Sequence, residues 1–426
     1  MTLEAAARSY YGATAHPAER WPALTESVAC DVCVVGGGIA GCSVALHLAK
    51  RGYRVVLLEA QQIGWGASGR SGGQALVGVA AGQATIERLL GAEAARAIWD
   101  TTLAGIALIK ECIVKYSIAC DWTDGYMHVA LKARHERELH AELAVLQERY
   151  RYDGARYLPR EEVRALLDTT RYTAALYDST SGHLHPLNYT RGLAAAAAQH
   201  GAVVFEDTRV LRFDPADAIR VRTTNGEVGC RFFVLCGSVY MGALAPLLAR
   251  KIIPIATHIV ATEPLGVERA RSLIANNAAV SDMNWILDYF RLSADHRLLF
   301  GGRVGSAAQS PAAVASSTRA RMLRVFPQLA EARIDYSWGG FVDVTMNRAP
   351  HFGRLTPCVY FLQGFSGHGV ALAGIAGRLV ADAIAGTAER FDIFARVPHR
   401  NIPAGVGTRR ALLTLAMLYY HIRDLL

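Results

Sequence analysis

A glycine turn set between a buried strand and a helix constrains this chain more than any other feature. Asp31–Val35 is a short apolar run, and Gly36-Gly37-Gly38-Ile39-Ala40-Gly41 follows it. Cys42–Arg51 is rich in Ala and Leu and reads as a helix, closed by Gly52. Arg54–Leu58 reads as a second strand and ends at Glu59. Together they form a βαβ unit of about thirty residues. Within it, Gly36 permits a tight turn, Gly38 lets backbone approach a pyrophosphate, and Gly41 lets helix and strand pack closely. The helix N-terminus, with Ile39 and Ala40, offers free N–H groups and a partial positive charge to phosphate. Glu59, followed by Ala60, stands where a carboxylate can accept hydrogen bonds from both ribose hydroxyls and would repel a 2′-phosphate.

Three features favour FAD over NAD as the dinucleotide. The fingerprint sits near the chain start. A second glycine-rich run, Gly64-Trp65-Gly66-Ala67-Ser68-Gly69-Arg70-Ser71-Gly72-Gly73-Gln74, can wrap a longer cofactor, with Ser68 and Arg70 reaching its pyrophosphate or ribityl chain. Far down the chain, the strand Val359–Leu362 runs into Gly364-Phe365-Ser366-Gly367-His368-Gly369 and a helix from Val370 to Ala385. The N-terminal dipole of that helix can stabilise negative charge on a reduced flavin ring.

Composition sets the outer limits. At 426 residues, 52% hydrophobic and 19% charged, the chain is globular, with roughly two domains. The net charge of +8 is scattered, its densest cluster being Arg409-Arg410, so no nucleic-acid partner is expected. Met1–Tyr11 lacks the apolar core of a secretory signal. The 8 cysteines are therefore expected to be reduced, in a cytoplasmic protein. Cys30 and Cys33 fall on one strand and are expected on opposite faces, as structural thiols. Ala411–Tyr420 is apolar but too short to span a bilayer. It is expected to pack as a C-terminal helix, and peripheral membrane contact stays open. Ser9–Ala29, with Tyr10, Tyr11, Trp21 and Pro22, reads as an extended lead-in. Gln83–Tyr116 and Ala133–Tyr150 read as helices. Ile252–Thr262, Asn284–Leu292 and His296–Gly301 read as strands of a second sheet.

The Gly36–Gly41 turn with Glu59, the Trp65–Gly73 loop and the Gly364–Gly369 turn resemble the glycine oxidase, D-amino acid oxidase and sarcosine oxidase family of flavoproteins. Leu287-Asp288-Tyr289-Phe290-Arg291, Phe300-Gly301-Gly302-Arg303 and the Tyr10-Tyr11 lead-in extend the likeness towards its γ-glutamylputrescine oxidase type. The resemblance implies an α/β fold (α+β overall): a Rossmann-like FAD-binding domain with a second, antiparallel-sheet substrate domain. It implies a discontinuous division: 1–29 an arm; 30–95, 160–250 and 341–395 the FAD-binding domain; 96–159 and 251–340 the substrate domain; 396–426 a tail and helix. FAD would bind non-covalently, with adenine near Glu59 and Val210 and close cofactor approach at Gly237. The substrate would be a small-molecule amine, oxidised at its C–N bond, with O2 or an electron carrier as acceptor.

Departures from the family pattern narrow this. Its amino-acid oxidases carry a carboxylate-binding Arg in a Gly-Leu-Arg-Pro-like stretch. Gly340-Phe341-Val342-Asp343 stands here, with Val342 at the Arg position, and an apolar side chain cannot pair with a carboxylate. An amine without an adjacent carboxylate fits better, such as a polyamine derivative. No Cys lies between Trp338 and His351 to attach a flavin, and no Lys lies in Asn284–Gly305 to activate oxygen. Two alternatives remain: an amino-acid or N-methyl amino-acid dehydrogenase feeding a carrier or quinone, and a flavin module that regulates a partner. Trp285, Tyr289, Arg291 and Arg303 are expected around the substrate, with Arg291 suited to a distal carboxylate. His258, His351 and His368 are the expected catalytic histidines, His368 foremost at its helix N-terminus. Gly364, Gly367, Gly369 and Val370 are expected along the cofactor.

Overall fold

The computed structural model describes residues 9–215, 218–303 and 311–402. The expected tail helix at Ala411–Tyr420 lies outside them, as do the side chain of Arg303 and residues 1–8 of the arm.

Three sheets build the described residues. The first has six strands, in the order His351–Thr356, Val359–Gln363, Phe232–Leu235, Val32–Val35, Val55–Leu58, Val203–Phe205. All neighbours are parallel except the first pair. Its central strands are apolar throughout because both faces are covered. Val32, Val34, Val55, Leu57 and Val234 face the helices Ile39–Ala49, Pro186–Gln199 and Gly369–Ile384. Cys33, Val56, Leu58, Phe233 and Leu235 face a four-stranded sheet made of Ser27–Ala29, Glu227–Cys230, Ile219–Thr223 and Val210–Asp214.

The third sheet is long and mainly antiparallel: Ile334–Val344, Ile253–Thr262, Leu298–Arg303, Asp288–Leu292, Ala279–Asp282, Thr123–Ala130, Ala174–His183 and Gln74–Ala75, with Ala155–Pro159 also paired to Ala174–His183. One face packs on a core that includes Phe290, Phe300, Met322 and Phe326, under the helix Pro311–Val325. Sheet membership divides the chain more finely than the expected segments. Ala174–His183, within 160–250, and Gln74–Ala75, within 30–95, both pair in this large sheet. Backbone pairing decides membership, and sequence position does not.

Three local readings are corrected. The lead-in is not extended throughout: Tyr10–Thr14 is helical, and the Ser9 hydroxyl accepts the Gly12 N–H at 3.0 Å as its cap. The single helix expected over Gln83–Tyr116 is two, Gln83–Leu90 and Ala92–Lys115, broken at Gly91, whose φ of +87° no helix accommodates. Cys30 precedes the strand, which begins at Val32, so strand alternation does not govern it. Its thiol and that of Cys33 both meet Cys230, and all three are buried.

Candidate active site

At the first glycine turn, Gly36 and Gly41 stand where no side chain fits. Gly36 has φ +105°, and a Cβ there would lie 2.7 Å from the Cys236 carbonyl. A Cβ at Gly41 would run into the Gly36 carbonyl oxygen. Gly38 caps the helix Ile39–Ala49 without a side chain. The Ser68 hydroxyl instead crosses from the second loop and accepts the Ile39 N–H at 3.0 Å. The first two glycine-rich segments therefore meet at a helix start, a position suited to a pyrophosphate. Glu59 accepts the Gly37 N–H at 2.7 Å and the Gln61 N–H at 2.9 Å, one on each oxygen. That fixes the turn and leaves a lone pair on each oxygen for ribose hydroxyls. Burial raises its carboxyl above the usual range, against the pull of these amides. The Thr208 N–H bonds the Glu59 carbonyl at 2.8 Å, which brings the start of Val210–Asp214 alongside. Gly237 follows the strand Phe232–Leu235, but its Cα is covered by Met241, 2.7 Å from a built Cβ.

Arg70 is buried, with 5% of its surface exposed. Nε donates to the Trp65 carbonyl at 2.7 Å and Nη1 to the Gly339 carbonyl at 3.4 Å, while Nη2 has no partner. A buried guanidinium with an open donor is costly unless a ligand completes it. Its Cβ lies 3.4 Å from the Cβ that Gly340 would carry, so Arg70 marks the inner face of the large sheet, opposite its helix-covered face. Tyr289 lies on the same face. Its ring sits 2.8 Å from the Cβ position of Gly72 and fills that of Gly301, and its hydroxyl bonds Thr257. Gln74, on its short strand, donates from its side-chain amide to the Val280 carbonyl at 3.1 Å.

The helix that follows the third glycine turn packs on the helix that follows the first. The Ser43 hydroxyl donates to the Gly374 carbonyl, and Gly377 packs within 2.7 Å of the Ala40 carbonyl, counted from a built Cβ. The helices that start after Gly38 and His368 therefore cross in contact. His368 is the N-cap of Gly369–Ile384; its Nδ1 is buried without a partner. Burial first, then the Arg348 and His128 charges, lowers its pKa to about 4. It is neutral at pH 7.

The other expected site residues divide. Arg291 is not a free cation for a substrate carboxylate. It is 4% exposed, and its donors go to the carbonyls of Gly72 (2.7 Å), Leu292 (3.0 Å) and Leu184 (2.9 Å), the Tyr11 hydroxyl (2.9 Å) and His183 (3.4 Å). It clamps the second loop to the N-terminal arm. His258 is not on the inner face: it pairs with Gly302 and Gly339, and a Cβ at Gly339 would lie 2.6 Å from its ring. Its neighbour Thr257 is the inward residue. His351 adjoins Gly364, but its ring is committed to Gln363 (2.9 Å), Phe361 and His399, and burial holds its pKa near about 3. Trp285 is 42% exposed on the loop before Asp288, with the Arg348 guanidinium 6.0 Å from its ring. Sequence reasoning missed Asp343, Ser366 and Thr257. No spacing rule joins residue 343 to residue 364, and only strand pairing shows that 257 rather than 258 faces in.

Two glycine turns in contact, a third whose helix crosses the first helix, a buried carboxylate at the second strand end and a facing antiparallel sheet fit the class of flavin-dependent oxidoreductases. The sequence pattern described as FAD dependent oxidoreductase matches residues 31–383, and the chain belongs to that family and uses FAD. At 41% identity over 423 residues, 98% of each chain, it is similar to the gamma-glutamylputrescine oxidoreductase of Escherichia coli (strain K12). It is 40% identical to a probable oxidoreductase OrdL of Haemophilus influenzae, over 98% of this chain and 97% of that one. Among solved structures, glycine oxidase from Geobacillus kaustophilus superposes with a TM-score of 0.70 at 20% identity, covering 84% of this chain and 95% of that one. L-proline dehydrogenase from P. horikoshii gives 0.68 at 21%, covering 86% and 94%. The α/β architecture with its second sheet is thus the fold of this family. Among the described residues no single helix is long and apolar enough to cross a membrane.

Proposed function

We propose that the chain oxidises the C–N bond of an amine that bears no carboxylate beside the reacting carbon, a polyamine derivative of the γ-glutamylputrescine kind. The observation that carries this is Val342. It sits in register with Ile255, and two residues earlier on the same strand Gly340 lies against Arg70 on the inner face. Strand alternation puts Val342 on that face too, which supports reading it as an apolar counterpart of the carboxylate-binding Arg of the amino-acid oxidases. The similarity to the Escherichia coli enzyme supports the same substrate class.

When bound, FAD accepts the hydride lost from the amine α-carbon. The chain's part is to orient and to dry the site. Tyr289, braced over Gly72 and Gly301, and the Thr257 hydroxyl bound to it form a wall for the substrate. Excluding water there lowers the amine pKa and exposes its lone pair. His368 stays neutral, and its open Nδ1 is free to make one hydrogen bond at the helix start. The amine loses a hydride and a proton to become an imine, and water converts the imine to an aldehyde and ammonia. Oxygen takes up the two electrons and two protons to give hydrogen peroxide. The test is product analysis in air with γ-glutamylputrescine. One aldehyde and one peroxide per amine consumed is the expected balance. Aldehyde formed only with an added carrier, without peroxide, would replace oxygen as the acceptor.

A further inference from the structure

We infer that Asp343 is a positioning residue for the cofactor, holding the third glycine turn in the shape that meets FAD. This rests on the family's cofactor and not on the choice of amine. Asp343 is the penultimate residue of the strand Ile334–Val344 and lies between Val342 and Val344, on the face opposite Gly340 and Val342. It is 4% exposed. Its Oδ2 accepts the Gly364 N–H at 2.7 Å and its Oδ1 the Phe365 N–H at 3.2 Å. Its backbone carbonyl accepts the Ser366 N–H at 3.0 Å. The Ser366 hydroxyl oxygen, in turn, accepts the Thr345 N–H at 3.3 Å. Ser238 adds a side-chain hydrogen bond to the carboxylate.

The turn so held is strained. Gly364 has φ +75°, Ser366 +53° and Gly367 +100°. Three of four consecutive residues are left-handed, and Ser366 carries a Cβ that disfavours it. Such a conformation persists only where its surroundings over-determine it. Asp343 supplies that constraint, from a different sheet. The turn opens directly into the helix Gly369–Ile384, so its shape fixes where His368 and the helix start point. The same strand carries Gly340 and Val342 on the substrate side. One carboxylate therefore sets the position of the substrate wall relative to the cofactor-facing turn.

The cost argues the same way. A buried carboxylate is expensive to keep ionised, and no Lys or Arg forms an ion pair with it among the described residues. A residue kept only for stability would not be of this kind.

The test is Asp343→Asn and, separately, Ser238→Ala. The amide of Asn can accept only one of the two turn N–H groups and confronts the other with its own donors. Apoprotein would be titrated with FAD, following quenching of flavin fluorescence, with visible circular dichroism of the bound flavin and the thermal midpoint of the apoprotein alongside. We expect FAD affinity to fall at least tenfold in Asp343→Asn and about twofold in Ser238→Ala. An altered flavin dichroism and an apoprotein midpoint no lower than that of the parent should accompany this. Unchanged FAD affinity and dichroism in the folded variants, or a lowered midpoint as the only effect, would overturn the assignment. Should Asp343→Asn not fold, Ser238→Ala decides by the same readouts.

Discussion

Arg291 shows how a single residue's role turns on its partners. A cation in an aromatic strand invites a carboxylate ligand, yet five donors already have acceptors from four segments of the chain. A side chain so engaged is a structural clamp, and each carbonyl it abandoned would lose about 1–3 kcal/mol. Arg291→Met should therefore lower the unfolding free energy by several kcal/mol, read from urea denaturation. In the folded fraction the KM for the amine should stay within twofold. A large KM rise without a stability loss would return Arg291 to the substrate. Gly41 makes the complementary case, because its missing side chain is the function. Gly41→Val should yield protein with little bound flavin, measured as the absorbance ratio of the visible band to protein. A fully yellow variant would contradict the packing described.

At the scale of elements, the βαβ unit was readable because everything it needs lies within about thirty consecutive residues. Turn, helix start and acidic strand end follow from local geometry. The large sheet was readable as strands but not as faces. Whether Thr257 or His258 looks inward depends on pairing with residues near 302 and 339, and a one-residue error in parity sends a histidine to the wrong side. The Asp343 clamp was hidden for the same reason, being a contact between two sheets. Its protonation has a consequence at this scale. Burial raises its pKa to about 6, outweighing the hydrogen bonds from Gly364, Ser238 and Phe365 that favour the ionised form. With its folded pKa above the unfolded value near 3.9, the native state binds the proton more tightly. Its stabilising contribution is full below about pH 4, falls as pH rises to about 6, and is gone above. Urea midpoints of the wild type should thus decline more steeply from pH 4 to 6 than those of Asp343→Asn. Parallel curves would show that Asp343 does not titrate there.

For the molecule as a whole, segments from opposite ends of the chain share one site. The crossing of Ile39–Ala49 with Gly369–Ile384 depends on Gly377 lying against Ala40 and Ser43. Gly377→Leu should separate the first and third glycine turns. Flavin content and thermal midpoint should fall together, although residue 377 lies outside all three turns. Loss of neither would mean that the crossing is slack. Composition alone suggested two domains, whereas the sheets interleave along the chain: Gln74–Ala75 pairs with Ala174–His183 in the large sheet, and Val32–Val35 with Phe232–Leu235 in the six-stranded one. The central claim remains the chemistry at that site. It is tested most directly by anaerobic titration of the FAD-bound protein, following the visible flavin band. γ-Glutamylputrescine should bleach the band stoichiometrically, while glycine, sarcosine and other α-amino acids leave it unchanged. Bleaching by the amino acids, with none by the γ-glutamylated diamine, would contradict the account.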